Sequence, residues 1–322
     1  MKVVFWVDSR NERGGGHLSR SLSLAHSLIT SGHEVSFVLQ ELSSFLDLKC
    51  VKKYFVATHE DCVRRIRLIN DDSEIDWLVI DNYDVCDIDE NKVRAFTRNI
   101  LVIDDLANRT HNCDLLVDQN IETSVQDRYA TLVPNGCKIL TGLRYLLARP
   151  QFYENHDVVK DGTLIFLGGG DSTKDLISLL NVLTVIQPTE RFKVLVTSTY
   201  NYTDLLPIEK CPNFQFYRDL ADPSMLFRSV KRAIVRCGFV SYELALLGVP
   251  TLNIFSTEIQ RKVGQQLGHV GYGTAIAQDQ LYKERILMSN MRLLEQLAPI
   301  PLARSLRPGS FEITTEMESF CG

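Results

Sequence analysis

Short apolar runs rich in β-branched residues alternate along the whole chain with stretches whose apolar positions recur every three or four residues. In the first half the runs predict strands at Val3–Asp8, Glu34–Leu39, Leu78–Asp81, Ile100–Asp105, Leu115–Val117 and Lys138–Leu140. Leu18, Leu22, Ala25 and Ile29 repeat at helical spacing, and Gly32 stands where a helix C-cap belongs. After the polar stretch 155–162 a second series predicts strands at Thr163–Leu167, Phe192–Thr197, Phe214–Tyr217, Ala233–Val235 and Thr251–Phe255. Helical patterns fall between them, including Ser241–Leu247, which Gly248 to Pro250 closes. Such alternation implies parallel sheets covered by helices on both faces. The expected architecture is α/β, with two doubly wound, Rossmann-like domains at 1–150 and 151–322. The Pro- and Ser-rich tail after Ala298 either packs back on a domain or stays partly mobile.

Each half opens alike: a strand, a glycine triplet, a polar residue, then a helix. The first triplet is Gly14, Gly15 and Gly16 with His17 following, and the second is Gly168, Gly169 and Gly170 with Asp171 following. Without Cβ atoms such a turn can approach a ligand closely and present its N–H groups. A helix start favours an anion and disfavours imidazolium, so a neutral His17 is a candidate general base. Two such domains would face one another, with ligand held at the carboxyl ends of the strands.

Composition narrows the choice. At 322 residues, with 45% apolar and 23% charged content, the chain suits two globular domains. A net charge of −5 gives no basic stripe, which argues against nucleic acid as a partner. No apolar run approaches the roughly 20 residues that span a bilayer. The first residues read as a strand rather than a signal peptide, and the eight cysteines show no CxxC or zinc-like spacing. Reduced thiols and a cytoplasmic location are expected, with a small-molecule ligand, no cofactor or metal, and a monomer or weak dimer.

Six motifs in order then carry a resemblance. Asp8 with Gly14 to Leu22 and Ala25, Ile80 to Tyr83, Ile103 to Leu106 with Cys113 to Asn120, Gly142 to Arg149, Leu167 to Asp171, and Tyr242 to Pro250 together resemble the UDP-sugar hydrolase family of the pseudaminic acid pathway and related spore-coat polysaccharide proteins. The resemblance covers roughly residues 1–275. It implies a glycosyltransferase-B-like fold, similar to the enzyme that adds N-acetylglucosamine in lipid II synthesis, with UDP on the C-terminal domain. It also implies metal-independent hydrolysis: water attacks the anomeric carbon of a UDP-linked 2,4-diacetamido-2,4,6-trideoxyhexose, and the configuration inverts. The chain departs from the family where Gly-Gly-Ser-Thr reads Cys237-Gly238-Phe239-Val240, where Asn-Gln reads Ile259-Gln260, and where an Arg after the first strand reads Trp6.

His17 matches the family's water-activating base; its plainer role is a helix-start residue bonded to a carbonyl. Asp8 is expected to orient His17 or a sugar amide, or else to cap the loop. Arg20 contacts ligand or forms a surface ion pair. Asp81 and Tyr83 position the sugar, or cap a loop beside a half-buried tyrosine. Asp104 and Asp105 read as a turn and N-cap rather than a metal site. Gly168 to Asp171 and Gly238 form the expected phosphate cradle, beside Tyr242 and Gln260. The resemblance implies that Glu243 binds ribose hydroxyls, the alternative being compensation of the helix dipole. The leading reading is a nucleotide-sugar hydrolase. A glycosyltransferase of the same fold is the alternative, and a non-catalytic nucleotide-sugar-binding protein the third.

Overall fold

The computed structural model describes residues 1–10, 15–40, 51–121, 128–170 and 172–320. They form two compact units, Met1–Pro150 with Leu306–Gly322, and Gln151–Ser305. Gly14 and Asp171 lie outside the described residues.

The first unit is built on β1 (Lys2–Val7), β2 (Glu34–Leu39), β3 (Lys52–Phe55), β4 (Ile75–Asp81), β5 (Thr97–Ile103), β6 (Leu115–Asp118) and β7 (Lys138–Thr141). All pair in parallel, in the order β3-β2-β1-β4-β5-β6-β7. Helices α1 (Gly16–Thr30), α2 (His59–Asp72) and α3 (Asp87–Val93) connect them. Because successive side chains point to opposite faces, Val3, Phe5 and Val7 of β1 pack with Leu24 and Leu28 of α1. Val4 and Trp6 pack on the other face with Cys62, Ile66 and Ile69 of α2. Trp6 is therefore a core residue, its ring perpendicular to that of His59 with centroids 5.5 Å apart.

Two local expectations shift. Helix α1 starts at Gly16, two residues earlier than its apolar stripe, which brings His17 into the first turn. Strand β3 was not expected, since Lys52 and Lys53 break its apolar pattern; an edge strand keeps such charges facing water.

The second unit repeats the scheme with β8 (Thr163–Phe166), β9 (Phe192–Val196), β10 (Phe214–Arg218), β11 (Arg232–Arg236), β12 (Thr251–Phe255) and β13 (Gly273–Ala277). The order is β10-β9-β8-β11-β12-β13, again parallel. Its helices are α4 (Thr173–Ile186), α5 (Tyr202–Glu209), α6 (Ser224–Arg228), α7 (Phe239–Leu246), α8 (Glu258–His269) and α9 (Glu284–Gln296). In both sheets the strand order reverses beside the first strand, at β1/β4 and at β8/β11. That is where a doubly wound sheet opens a crevice for ligand.

The tail corrects the expected division, which kept 151–322 together. Helix α10 (Gly309–Ser319) lies on α1 in the first unit, where Ile313 and Met317 join the core with Leu24 and Leu28. Thr314 Oγ1 donates to Ser27 Oγ at 3.0 Å, and Glu312 takes Arg144 at 2.6 Å. A Cβ on Gly309 would fall 2.3 Å from the backbone of Tyr145, so only glycine permits this approach. Among the described residues no helix is long and apolar enough to cross a membrane.

Candidate active site

At the reversal point of the first unit, β1 and β4 end side by side, and the Asp8 N–H donates to the Asp81 carbonyl at 3.0 Å. Asp81 closes β4 and is fully buried. Helix α1 enters from above, with Gly15 at its N-cap, and delivers His17 and Arg20 one turn apart. Among the described residues, a Cβ on Gly16 would meet nothing within 4 Å.

The Asp81 carboxylate collects four donor groups. His17 Nδ1 lies 2.5 Å from Oδ1, Arg20 Nη2 and Nε donate at 2.5 and 2.7 Å, and Ser21 Oγ donates at 3.1 Å. Burial alone would raise its pKa, but the charge of Arg20 and the hydrogen bonds from Arg20 and His17 prevail and hold it below the ordinary carboxylate range. A carboxylate can only accept, so Nδ1 carries the hydrogen, and in the neutral ring the lone pair then falls on Nε2. The 3.2 Å approach of Arg20 Nη2 to Nδ1 is then a contact between two donors rather than a bond.

Arg20 is 4% exposed, and its third nitrogen, Nη1, reaches Asp105 Oδ2 at 3.0 Å. Asp105 in turn accepts from the Tyr83 hydroxyl at 2.7 Å. The Tyr83 ring meets His17 edge-on, with centroids 4.4 Å apart at 79°. Burial, reinforced by Asp105, pushes the Tyr83 phenol well above its ordinary value, so it stays protonated and donates.

This arrangement reassigns two expected roles. Asp81, expected to position sugar, has its oxygens occupied by His17, Arg20 and Ser21. Asp8, expected to orient His17, is held by Arg10 through Nε at 2.8 Å and Nη2 at 2.6 Å. Burial opposes ionisation of Asp8, yet Arg10 keeps its carboxyl below the usual range. Arg10 also bonds Asp84. Asp104 does cap a turn, accepting the Ala107 N–H at 2.9 Å, but its neighbour Asp105 turns into the site. Arg10 and Ser21 were not singled out from sequence, and Asp105, read there as part of a turn and N-cap, instead pairs with Arg20 and Tyr83.

In the second unit the glycine turn after β8 is tied down through its carbonyls. Gly168, at φ +92°, accepts from Tyr200 at 3.1 Å, Gly169 from Thr199 Oγ1 at 2.8 Å, and Leu167 from Arg236 Nε at 3.0 Å. Arg236, the last residue of β11, also reaches Ser172 Oγ at 3.1 Å and Asp175 at 3.2 Å. It too was missed, and its only signal was an arginine ending an apolar strand. Gly238 begins α7 from the adjacent strand end and donates to Ser241 Oγ at 3.3 Å. Tyr242 and Glu243 are buried in the same helix, Glu243 at 4% exposure. Gln260 serves the start of α8, where its Oε1 accepts from Ser256 N at 2.9 Å. A cavity of about 640 Å³ opens beside it at the ends of β12 and β13, lined in part by Asp175, Glu258, Arg261, Gln278 and Tyr282.

No protein-family model matches the chain. In sequence it is 27% identical over 281 residues to the UDP-2,4-diacetamido-2,4,6-trideoxy-beta-L-altropyranose hydrolase of Campylobacter jejuni, spanning 84% of this chain and 98% of that one. The chain is a relative of that hydrolase. Among solved structures, UDP-GlcNAc 2-epimerase of Methanocaldococcus jannaschii, in complex with UDP-GlcNAc and UDP, aligns with a TM-score of 0.65 at 12% identity, covering 99% of this chain and 100% of that chain. MurG of Acinetobacter baumannii aligns at 0.62 and 13%, with the same coverage. These likenesses establish the fold, two parallel-sheet α/β domains of the glycosyltransferase-B type.

Proposed function

We propose that the chain is an enzyme acting on a UDP-sugar, and that it hydrolyses this substrate with His17 as the base. The observation that carries the reading is the bond between His17 Nδ1 and the buried Asp81, which leaves Nε2 as the proton acceptor. Asp81 fixes the ring and stabilises the imidazolium that forms, the role a buried carboxylate plays toward histidine in other hydrolases. Water gives its proton to Nε2, its oxygen bonds to the anomeric carbon, and the bond from that carbon to the diphosphate oxygen breaks. UDP leaves with the electron pair, and the configuration inverts.

The two units divide the work by charge. In the first unit Asp8, Asp81, Asp105 and Asp118 stand at or just beyond the ends of β1, β4, β5 and β6. A diphosphate is repelled there, whereas water and an uncharged sugar are not. At the corresponding ends of β8, β11, β12 and β13 stand Leu167, Arg236, Ser256 and Gln278, none of them acidic. We assign UDP to this second edge, held by Gly168 to Gly170, Gly238 and the N–H groups that open α7, with Glu243 toward the ribose. Phe239 and Val240 lack hydroxyls, but backbone N–H groups need none.

The relationship to the Campylobacter enzyme favours water over an acceptor hydroxyl, and a 2,4-diacetamido-2,4,6-trideoxyhexose as the sugar, in nonulosonic acid biosynthesis. Incubating the protein with that UDP-sugar and no acceptor tests this. Stoichiometric UDP and free sugar are expected. UDP release only on adding an acceptor would make the chain a glycosyltransferase, and binding without turnover a nucleotide-sugar-binding protein.

A further inference from the structure

The contacts around His17 close into a ring. His17 bonds Asp81, Asp81 takes two nitrogens of Arg20, Arg20 gives its third to Asp105, Asp105 accepts from Tyr83, and the Tyr83 ring returns to His17. With a neutral imidazole the ring holds two carboxylates and one guanidinium, a net charge of −1. Beside the ring Arg10 pairs with Asp8 and Asp84, Arg109, which lies over Tyr83, pairs with Asp104, and Arg128, which donates to the Asp105 carbonyl at 3.2 Å, pairs with Asp118.

We infer that Arg20 and Asp105 are positioning residues that set how readily His17 takes up a proton, Asp105 leaving a negative charge that the captured proton discharges and Arg20 limiting that charge to one. The inference rests on the proposed role of His17 as base. Arg20 is suited to this because its planar fork spans both carboxylates, at 2.5–2.7 Å to Asp81 and 3.0 Å to Asp105. Lysine would keep the charge but lose the fork. Asp105 is suited because its other oxygen fixes the Tyr83 wall, so one carboxylate couples the charge of the site to its shape. Burial of Arg20 and Asp81 leaves little water to screen these charges.

Three variants separate charge from shape. Asp105→Asn removes a negative charge with little change of shape, and the acid limb of kcat/KM should move to lower pH by about half a unit or more. Arg20→Gln removes the positive charge and should move the limb to higher pH by a similar amount. Arg20→Lys should leave the limb near its place while kcat falls about tenfold. The same shifts should appear without substrate, in an NMR titration of the imidazole signal of the full chain that is missing from His17→Asn. Opposite displacements in Asp105→Asn and Arg20→Gln uphold the ring. If one of them fails to fold, the other's direction decides. Titrations that coincide with wild type, or move the same way, overturn it. Opposite NMR displacements in a protein that hydrolyses no UDP-sugar would uphold the ring and reject the hydrolase reading.

Discussion

The two units share one topology and differ at the strand that turns the order around. In the first unit that strand, β4, ends in Asp81; in the second its counterpart, β11, ends in Arg236. Asp81 reaches toward α1 and takes hold of an imidazole and a guanidinium. Arg236 reaches toward the glycine turn and takes hold of a carbonyl, a hydroxyl and Asp175. The same position thus anchors an imidazole and a guanidinium in one unit and braces a glycine turn in the other. A doubly wound sheet brings the same strand ends together, and the charge of the residue placed there decides what they hold.

The largest effect is expected from His17→Asn, which removes the lone pair at Nε2. Its kcat should fall by about 10³ or more while UDP affinity, measured calorimetrically, changes within a few-fold. Retained turnover would remove the first unit from the chemistry. Next, Met317→Ala opens a cavity between α10 and α1 and should cost about 2–5 kcal/mol in urea unfolding. A cost near zero would mean that the tail is not part of the first unit's core.

Asp118, at the end of β6, probes the acidic edge itself. Burial pushes its carboxyl up to about 6, with Asp105 and Asp104 adding to the effect, from an ordinary 3.8. A raised value in the folded state means that its contribution is fully present below about pH 4 and is lost as pH rises through 6. Asp118→Asn escapes that loss, so its stability relative to wild type should grow by about 3 kcal/mol between pH 4 and pH 8. A gap that stays constant with pH would show that Asp118 is ordinarily solvated. The smallest effect is expected from Arg236→Met, which should weaken UDP binding about tenfold, as loss of a charged hydrogen-bonding group does, and leave the acid limb of the rate profile unmoved. A displaced acid limb would erase the division between the units.

The alternation of apolar runs and helical stripes was enough to read the inner strands of both sheets and the two glycine turns, because each is local. Edge strands β3 and β13 were hidden, since an edge strand needs no long apolar run. Whether the tail packs back, and on which unit, was left open, because it depends on Gly309 meeting Tyr145 across more than 160 residues. Most telling is the exchange between Asp8 and Asp81. Both follow apolar strands, and nothing local says which faces His17. That is decided by β1 lying beside β4 and by Arg10 occupying Asp8. Asp105 was given a turn role and Arg236 was missed for the same reason: their partners are distant in sequence and adjacent only once the strands are ordered.

If His17, held by Asp81, activates water toward the anomeric carbon, turnover of the UDP-linked diacetamido-trideoxyhexose in ¹⁸O-labelled water with no acceptor present will show it. One labelled oxygen is predicted on the anomeric carbon of the free sugar and none on UDP, with the label lost along with turnover in His17→Asn. Label on the diphosphate, or unlabelled sugar, would contradict it.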